Sequence, residues 1–156
     1  MSAPRSLWRV VDANANRARE ALRVCEDVVR FGGTAAGRFR SLRALRYALN
    51  AALRRLPIDP RELVADRDSV RDPGATERPS PVGSVERLLL INLQRGKEAL
   101  RVLEESSRVL APRHVAGFQT LRFRLYDVER QLLLGLAAVR HRRPRHGARS
   151  RSGAAR

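Results

Sequence analysis

NANRAREALRVCEDVVR, residues 14–30, returns as NLQRGKEALRVLEESSR, residues 92–108. At a constant offset of 78, nine of the seventeen positions are identical. Asn16/Gln94, Ala18/Gly96, Arg19/Lys97 and Asp27/Glu105 are close exchanges. Arginine, alanine and leucine are abundant in the chain, so matches among them carry little weight. Asn, Glu and Arg kept in phase carry more. The reading is a duplicated unit, with this segment as the principal helix of each half.

No Pro or Gly interrupts residues 12–31, Asp12 can cap a first turn with its carboxylate, and Gly32-Gly33 supplies a stop. On a helix, Ala18, Ala21, Leu22, Val24, Cys25, Val28 and Val29 share one apolar arc, and Glu20, Arg23, Glu26, Asp27 and Arg30 fall opposite. A second helix is predicted over 37–56, from Phe39, Leu42, Leu45, Leu49, Leu53 and Leu56 at helical spacing, with Pro57 ending it. Its counterpart, 118–139, aligns at an offset of 76 through Leu45-Arg46-Tyr47 and Leu121-Arg122-Phe123. Ser84 is the expected N-cap of a third helix that runs to Leu110 before Pro112, with Glu86 in its first turn. No segment alternates with a period of two. The expected fold is all-α, a duplicated helical hairpin forming a four-helix bundle, with repeats at about 9–56 and 84–139.

A chain of 156 residues can close one core. It carries 32 Lys+Arg against 16 Asp+Glu, a net charge of +16, and Lys97 is its only lysine. That surplus implies an anionic partner: nucleic acid, a membrane surface or a phosphorylated small molecule. Part of it lies in an Arg-rich tail, 140–156, too poor in apolar residues to fold and able to bind nucleic acid only weakly. One cysteine excludes an intramolecular disulfide and suits a reducing cytoplasm. No apolar run is long enough to span a membrane, and Met1–Trp8 lacks the core of a signal peptide. The expectation is a cytoplasmic protein.

Two polar pairs interrupt the apolar arc: Asn14 with Arg17, and Asn92 with Arg95. Burying such groups without partners costs several kcal/mol for the charge. Either they satisfy one another between the halves, with arginine stems reaching solvent, or they line a polar pocket for an anionic ligand. The 57–83 connection is long for a small bundle and centres on DRDSVRDPG, residues 66–74. Its aspartates suit Mg²⁺ and its arginines suit phosphate oxygens, although the same charges could satisfy one another in a solvated linker.

No phosphate loop, nucleophile elbow, zinc spacing or dinucleotide fingerprint occurs, and Cys25 becomes Leu103 in the repeat, which argues against a cysteine nucleophile. Arginines, paired amides, helical carboxylates and an aspartate-rich loop remain. That inventory suits metal-assisted phosphoryl transfer, where positioning and charge neutralisation dominate.

RVVDANANRAREALRVCEDVVRF (9–31) resembles the start of a small helical domain of bacterial thiamine biosynthesis that is often fused ahead of thiamine-phosphate synthase. LRALRYAL (42–49), RDSVRDPG (67–74), NLQRGKEALRVLEE (92–105) and LRFRLYDVE (121–129) fit the same family, so the resemblance covers roughly 8–136. It implies a monofunctional hydroxymethylpyrimidine phosphate kinase, which converts the pyrimidine monophosphate to its diphosphate with ATP and Mg²⁺. Ser69 and Pro73 stand where the family pattern suggests Thr and an aliphatic residue, and the absence of a synthase domain after residue 139 suggests a stand-alone version. On this reading Arg17, Arg95 and Arg67 act on the transferring phosphates and Arg46 and Arg122 bind phosphate. Asn14 and Asn92 contact the pyrimidine, and Asp68 and Asp72, with Glu20 or Glu98, hold Mg²⁺. Thiamine-phosphate synthase and a second copy of the chain are the protein partners it leaves open. Other readings are a thiamine-precursor-binding module, a basic nucleic-acid-binding bundle and a purely structural bundle.

Overall fold

A computed structural model describes residues 5–32, 38–65, 67 and 80–142, with side chains as far as 136. The elements are α1 (Arg5–Phe31), α2 (Arg38–Leu53), a short α3 (Pro60–Ala65), α4 (Val85–Leu110) and α5 (Val115–Arg142), with a 3-10 turn at Pro112–His114. No strand occurs among the described residues. The fold is an all-α bundle in which α1 packs on α2 and α4, and α5 packs on α2 and α4.

The duplication extends into the core. Val11, Ala15, Leu22 and Cys25 of α1 are buried, and so are Leu89, Leu93, Leu100 and Leu103 at the same phase of α4. Leu42, Leu45, Leu49 and Leu56 are buried, and so are Phe118, Leu121, Leu125 and Leu132 at an offset of 76. Each such side chain contributes about 1.5–3 kcal/mol on leaving water. No half closes this core alone, because α1 and α4 supply its centre to each other.

Several boundaries differ from expectation. Asp12 does not cap α1, which begins two turns earlier at Arg5. The longer helix packs Trp8 and Val11 on the core, and the Asp12 carboxylate accepts instead from Arg67 Nε and Nη2 at 2.6 and 2.7 Å. Helix α2 stops at Leu53 rather than Leu56 because the chain tightens into i−3 bonds, Arg55 N–H to Ala52 and Leu56 N–H to Leu53, before Pro57. Helix α3 was not foreseen. Asp59 Oδ1 accepts from the Arg61 N–H at 2.8 Å and Pro60 opens the first turn, a small capped helix inside a segment read as loop. Ser84 does cap α4, accepting from the Arg87 N–H at 3.1 Å. The tail from 143 and most of 66–79, Asp68 and Asp72 included, lie outside the described residues. Among the described residues, no helix is long and apolar enough to cross a membrane.

Candidate functional site between the repeats

Helices α1 and α4 cross antiparallel. Ala21 meets Gly96, whose added Cβ would lie 3.8 Å from the alanine's, and one turn further along α1 the Cys25 thiol reaches the Leu89 carbonyl at 3.8 Å. Small side chains at the crossing, Ala18, Ala21, Gly96 and Ala99, let the two backbones approach. To one side the helices diverge and leave a cleft of about 680 Å³.

The lining consists of pairs related by the offset of 78: Asn14/Asn92, Arg17/Arg95, Glu20/Glu98, Ala21/Ala99 and Val24/Val102. Extending the antiparallel register from Ala21 beside Gly96 and Cys25 beside Leu89 brings Asn14 level with about Val102, Arg17 with about Glu98, Glu20 with about Arg95, and Val24 with about Asn92. The amides therefore stand towards the two ends of the cleft, with the arginines and carboxylates between them. Ten residues of helix separate the two amide positions, a spacing of about 15 Å along the axis.

Each amide is fixed in the same way. Asn14 Nδ2 donates to the Val10 carbonyl and Asn92 Nδ2 to the Leu88 carbonyl, both at 2.9 Å, and both residues are buried. This leaves each amide a carbonyl oxygen and a second N–H for a ligand. Arg17 and Arg95, by contrast, are exposed along the cleft, so the cost of burying them does not arise. Arg17, Glu20 and Arg95 make no hydrogen bond or ion pair among the described residues, while Glu98 accepts from Gln94 at 2.8 Å.

The other arginines expected at phosphates are engaged elsewhere. Arg46 donates to Glu26 Oε2 at 3.0 Å and Arg43 to Glu26 Oε1 at 2.7 Å. Arg122 donates to Glu104 Oε2 at 2.8 Å and to the Tyr126 hydroxyl at 3.0 Å, and Arg101 adds a bond to Glu104. Arg67 pairs with Asp12. Neither Arg122 nor Arg67 lines the cleft, and Arg46 lines only a neighbouring hollow. Each of these three guanidiniums already has a carboxylate partner.

Glu26 and Glu104 are the residues that sequence reasoning missed. Helical phase put Glu26 on the solvent side, yet its side chain is fully buried beneath α2. Burial by itself would raise its pKa, but the hydrogen bonds from Arg43 and Arg46 outweigh that effect and hold the carboxyl below its usual range. The signal was present, because Glu26/Glu104 and Arg46/Arg122 recur at the repeat offsets. The Cys25 thiol is buried and pushed up to about 12, chiefly by desolvation, so it is no nucleophile near neutral pH. Lys97 is tied to Glu129 at 2.7 and 2.8 Å.

The arrangement defines a class of protein: a helical bundle built by duplication, with a polar cleft at the junction of its two copies. Residues 9–131 match the model of the ThiD2 family, and the chain belongs to that family. It is 36% identical over 134 residues to thiamine-phosphate synthase of Nostoc sp., covering 81% of this chain and 35% of the relative. Against the protein of the same name in Gloeobacter violaceus the identity is 37% over 128 residues, covering 78% and 35%. Against the Synechocystis sp. protein it is 37% over 135 residues, covering 85% and 38%. The chain spans about a third of the length of these curated relatives. No solved structure matches it.

Proposed function

We propose that this chain is a phosphotransferase of thiamine biosynthesis, passing the γ-phosphoryl group of ATP to hydroxymethylpyrimidine phosphate to form the diphosphate. The observation that carries the reading is the repetition of Asn, Arg and Glu on both walls of one cleft. Two guanidiniums without a partner among the described residues line that space, and the likeness to relatives named thiamine-phosphate synthase supports a role in thiamine biosynthesis.

The acceptor is itself a phosphate, largely dianionic near neutral pH because its second pKa is about 6. Its oxygen attacks the γ-phosphorus while the bond to the β-phosphate oxygen breaks, and ADP leaves. No general base is needed. What the site must do is hold two polyanions in line and cancel their repulsion. Arg17 and Arg95, on opposite walls and on either side of the centre, meet that requirement. Asn14 and Asn92 sit where they can each offer a donor and an acceptor to a ring edge.

Magnesium fits the same centre. Glu20 and Glu98 are carboxylates near the middle of the cleft, and Mg²⁺ is commonly held by one or two carboxylates together with substrate phosphates. When bound, the ion would neutralise charge between the two phosphate chains. The product would pass to a thiamine-phosphate synthase.

The test is to incubate the full chain with Mg-ATP and hydroxymethylpyrimidine phosphate and follow ADP and the pyrimidine diphosphate, with the unphosphorylated pyrimidine alongside. Diphosphate from the monophosphate alone is the expected outcome. No product, with the monophosphate still raising the melting temperature, would replace the enzyme with a precursor-binding module.

A further inference from the structure

We infer that the two ends of the cleft are separate aminopyrimidine half-sites that hold the two substrates head to head, the nucleotide at the Asn92/Val24 end and the pyrimidine monophosphate at the Asn14/Val102 end. This rests on the phosphotransferase reading above and adds to it where each ring binds and which residues pair across the cleft.

Each end has the same make-up: a buried amide held by its i−4 bond on one helix, and a valine on the other. An isopropyl group offers a face to a planar ring, and a fixed amide offers a donor and an acceptor to its edge. Adenine contains a 4-aminopyrimidine ring, and the proposed acceptor is a 4-aminopyrimidine, so equivalent pockets suit both. The amide positions are about 15 Å apart along the helix axis, with the arginines and carboxylates between them. Two ligands entering from opposite ends would bring their phosphates together there. A duplicated cleft with one chemical motif at each end thus suits a reaction between two ligands that share it.

Departures from two-fold symmetry assign the ends. A hollow of about 410 Å³ adjoins the cleft at Glu20 and Val24, adding Arg19, Arg23, Arg46 and Asn50. Arg19 Nε is the one buried side-chain polar atom among the described residues without a hydrogen-bond partner. At the matching place in the second repeat Lys97 is closed onto Glu129 and lies 5.8 Å from the Tyr126 ring centroid, with Tyr126 standing where the first repeat has Asn50. The Val24 end is therefore the roomier and more cationic, and suits the larger, more highly charged substrate.

The experiment is calorimetric titration of the full chain with ADP and, separately, with hydroxymethylpyrimidine phosphate, both with Mg²⁺. Asn92→Ala should weaken ADP about tenfold and leave the monophosphate nearly unchanged, and Asn14→Ala should do the reverse. Because each amide could matter only for folding, the cross-helix partners are the sharper probe. Val24→Phe should behave as Asn92→Ala, and Val102→Phe as Asn14→Ala, since each fills the end opposite its own repeat's amide. Both amide variants weakening the same ligand, or neither ligand binding, would overturn the half-sites, and a swapped pattern would overturn the orientation. Binding is read without turnover, so the two proposals fail separately. Turnover without this pairing keeps the phosphotransferase and removes the half-sites; the pairing without turnover does the opposite.

Discussion

Replacing Glu26 with Gln would set a buried neutral amide against Arg43 and Arg46, whose side chains are 37% and 16% exposed. Breaking a buried charge pair on one side costs about 3–5 kcal/mol, well above the 0–1 kcal/mol of an exposed pair such as Arg23–Asp27. Because both arginines keep contact with solvent, we expect urea unfolding of Glu26→Gln to show a smaller loss, about 1.5–3 kcal/mol, with an unchanged m-value. Glu104→Gln, which strips the buried Arg122 of its carboxylate, should behave alike. Arg17 and Arg95 predict the opposite profile. They are exposed and have no partner among the described residues, so Arg17→Ala or Arg95→Ala should move stability by no more than about 0.5 kcal/mol. If they bind the transferring phosphates, either change should lower kcat/KM by about a hundredfold or more, read in the ADP-release assay. A variant of Arg17 that unfolds easily yet turns over normally would reverse its assignment. The two arginine sets are indistinguishable in residue type. Only the presence of a buried carboxylate separates them, and for Arg46 helical phase put that carboxylate, Glu26, on the solvent side.

At the scale of the helices, the decisive contact is the antiparallel crossing of α1 on α4. Gly96 stands where the first copy has Ala18, and a Cβ added there would come within 3.2 Å of Leu125 Cδ2. Gly96→Ala gains up to about 1 kcal/mol of helix propensity and spends it on that tight contact, so the net change should be small. Gly96→Val adds branches that the crossing has no room for, and should cost about 1–3 kcal/mol in thermal or urea unfolding. It should also widen the angle between the walls of the cleft and weaken ligand binding, whereas Gly96→Ala should not. Much at this scale was legible in the sequence. Helical phase and the repeat located four long helices, and Ser84 marked the start of α4 correctly. The start of α1 was misread because Asp12 has the chemistry of a cap, while its true partner, Arg67, lies 55 residues away across a loop. Local pattern cannot show a long-range ion pair. Helix α3 was lost for a related reason: six residues are too few to display a period.

For the whole molecule, the buried Glu26 carboxylate shapes the response to acid. Two buried carboxylates, one per repeat, each tie a principal helix to its partner, Glu26 to α2 and Glu104 to α5. Glu26 has a folded pKa below the ordinary 4.5, so above that pH it is ionised in both folded and unfolded chains and its stabilisation is fully present. As pH falls below 4.5, the unfolded chain takes up a proton that the folded protein refuses, and stability declines until the folded pKa is passed. Acid has a second effect, because neutralising surface carboxylates raises a net charge that is already +16 and increases self-repulsion. The two can be separated. Added salt relieves the repulsion over a Debye length of about 10 Å at 0.1 M but screens the buried pairs much less. The urea midpoint of the wild-type protein should therefore fall between pH 7 and about pH 3.5 even in high salt, and Glu26→Gln should show a shallower fall under the same conditions. Parallel curves for the two proteins would mean that Glu26 titrates alike in both states, and that its ion pairs with Arg43 and Arg46 do not couple the fold to pH.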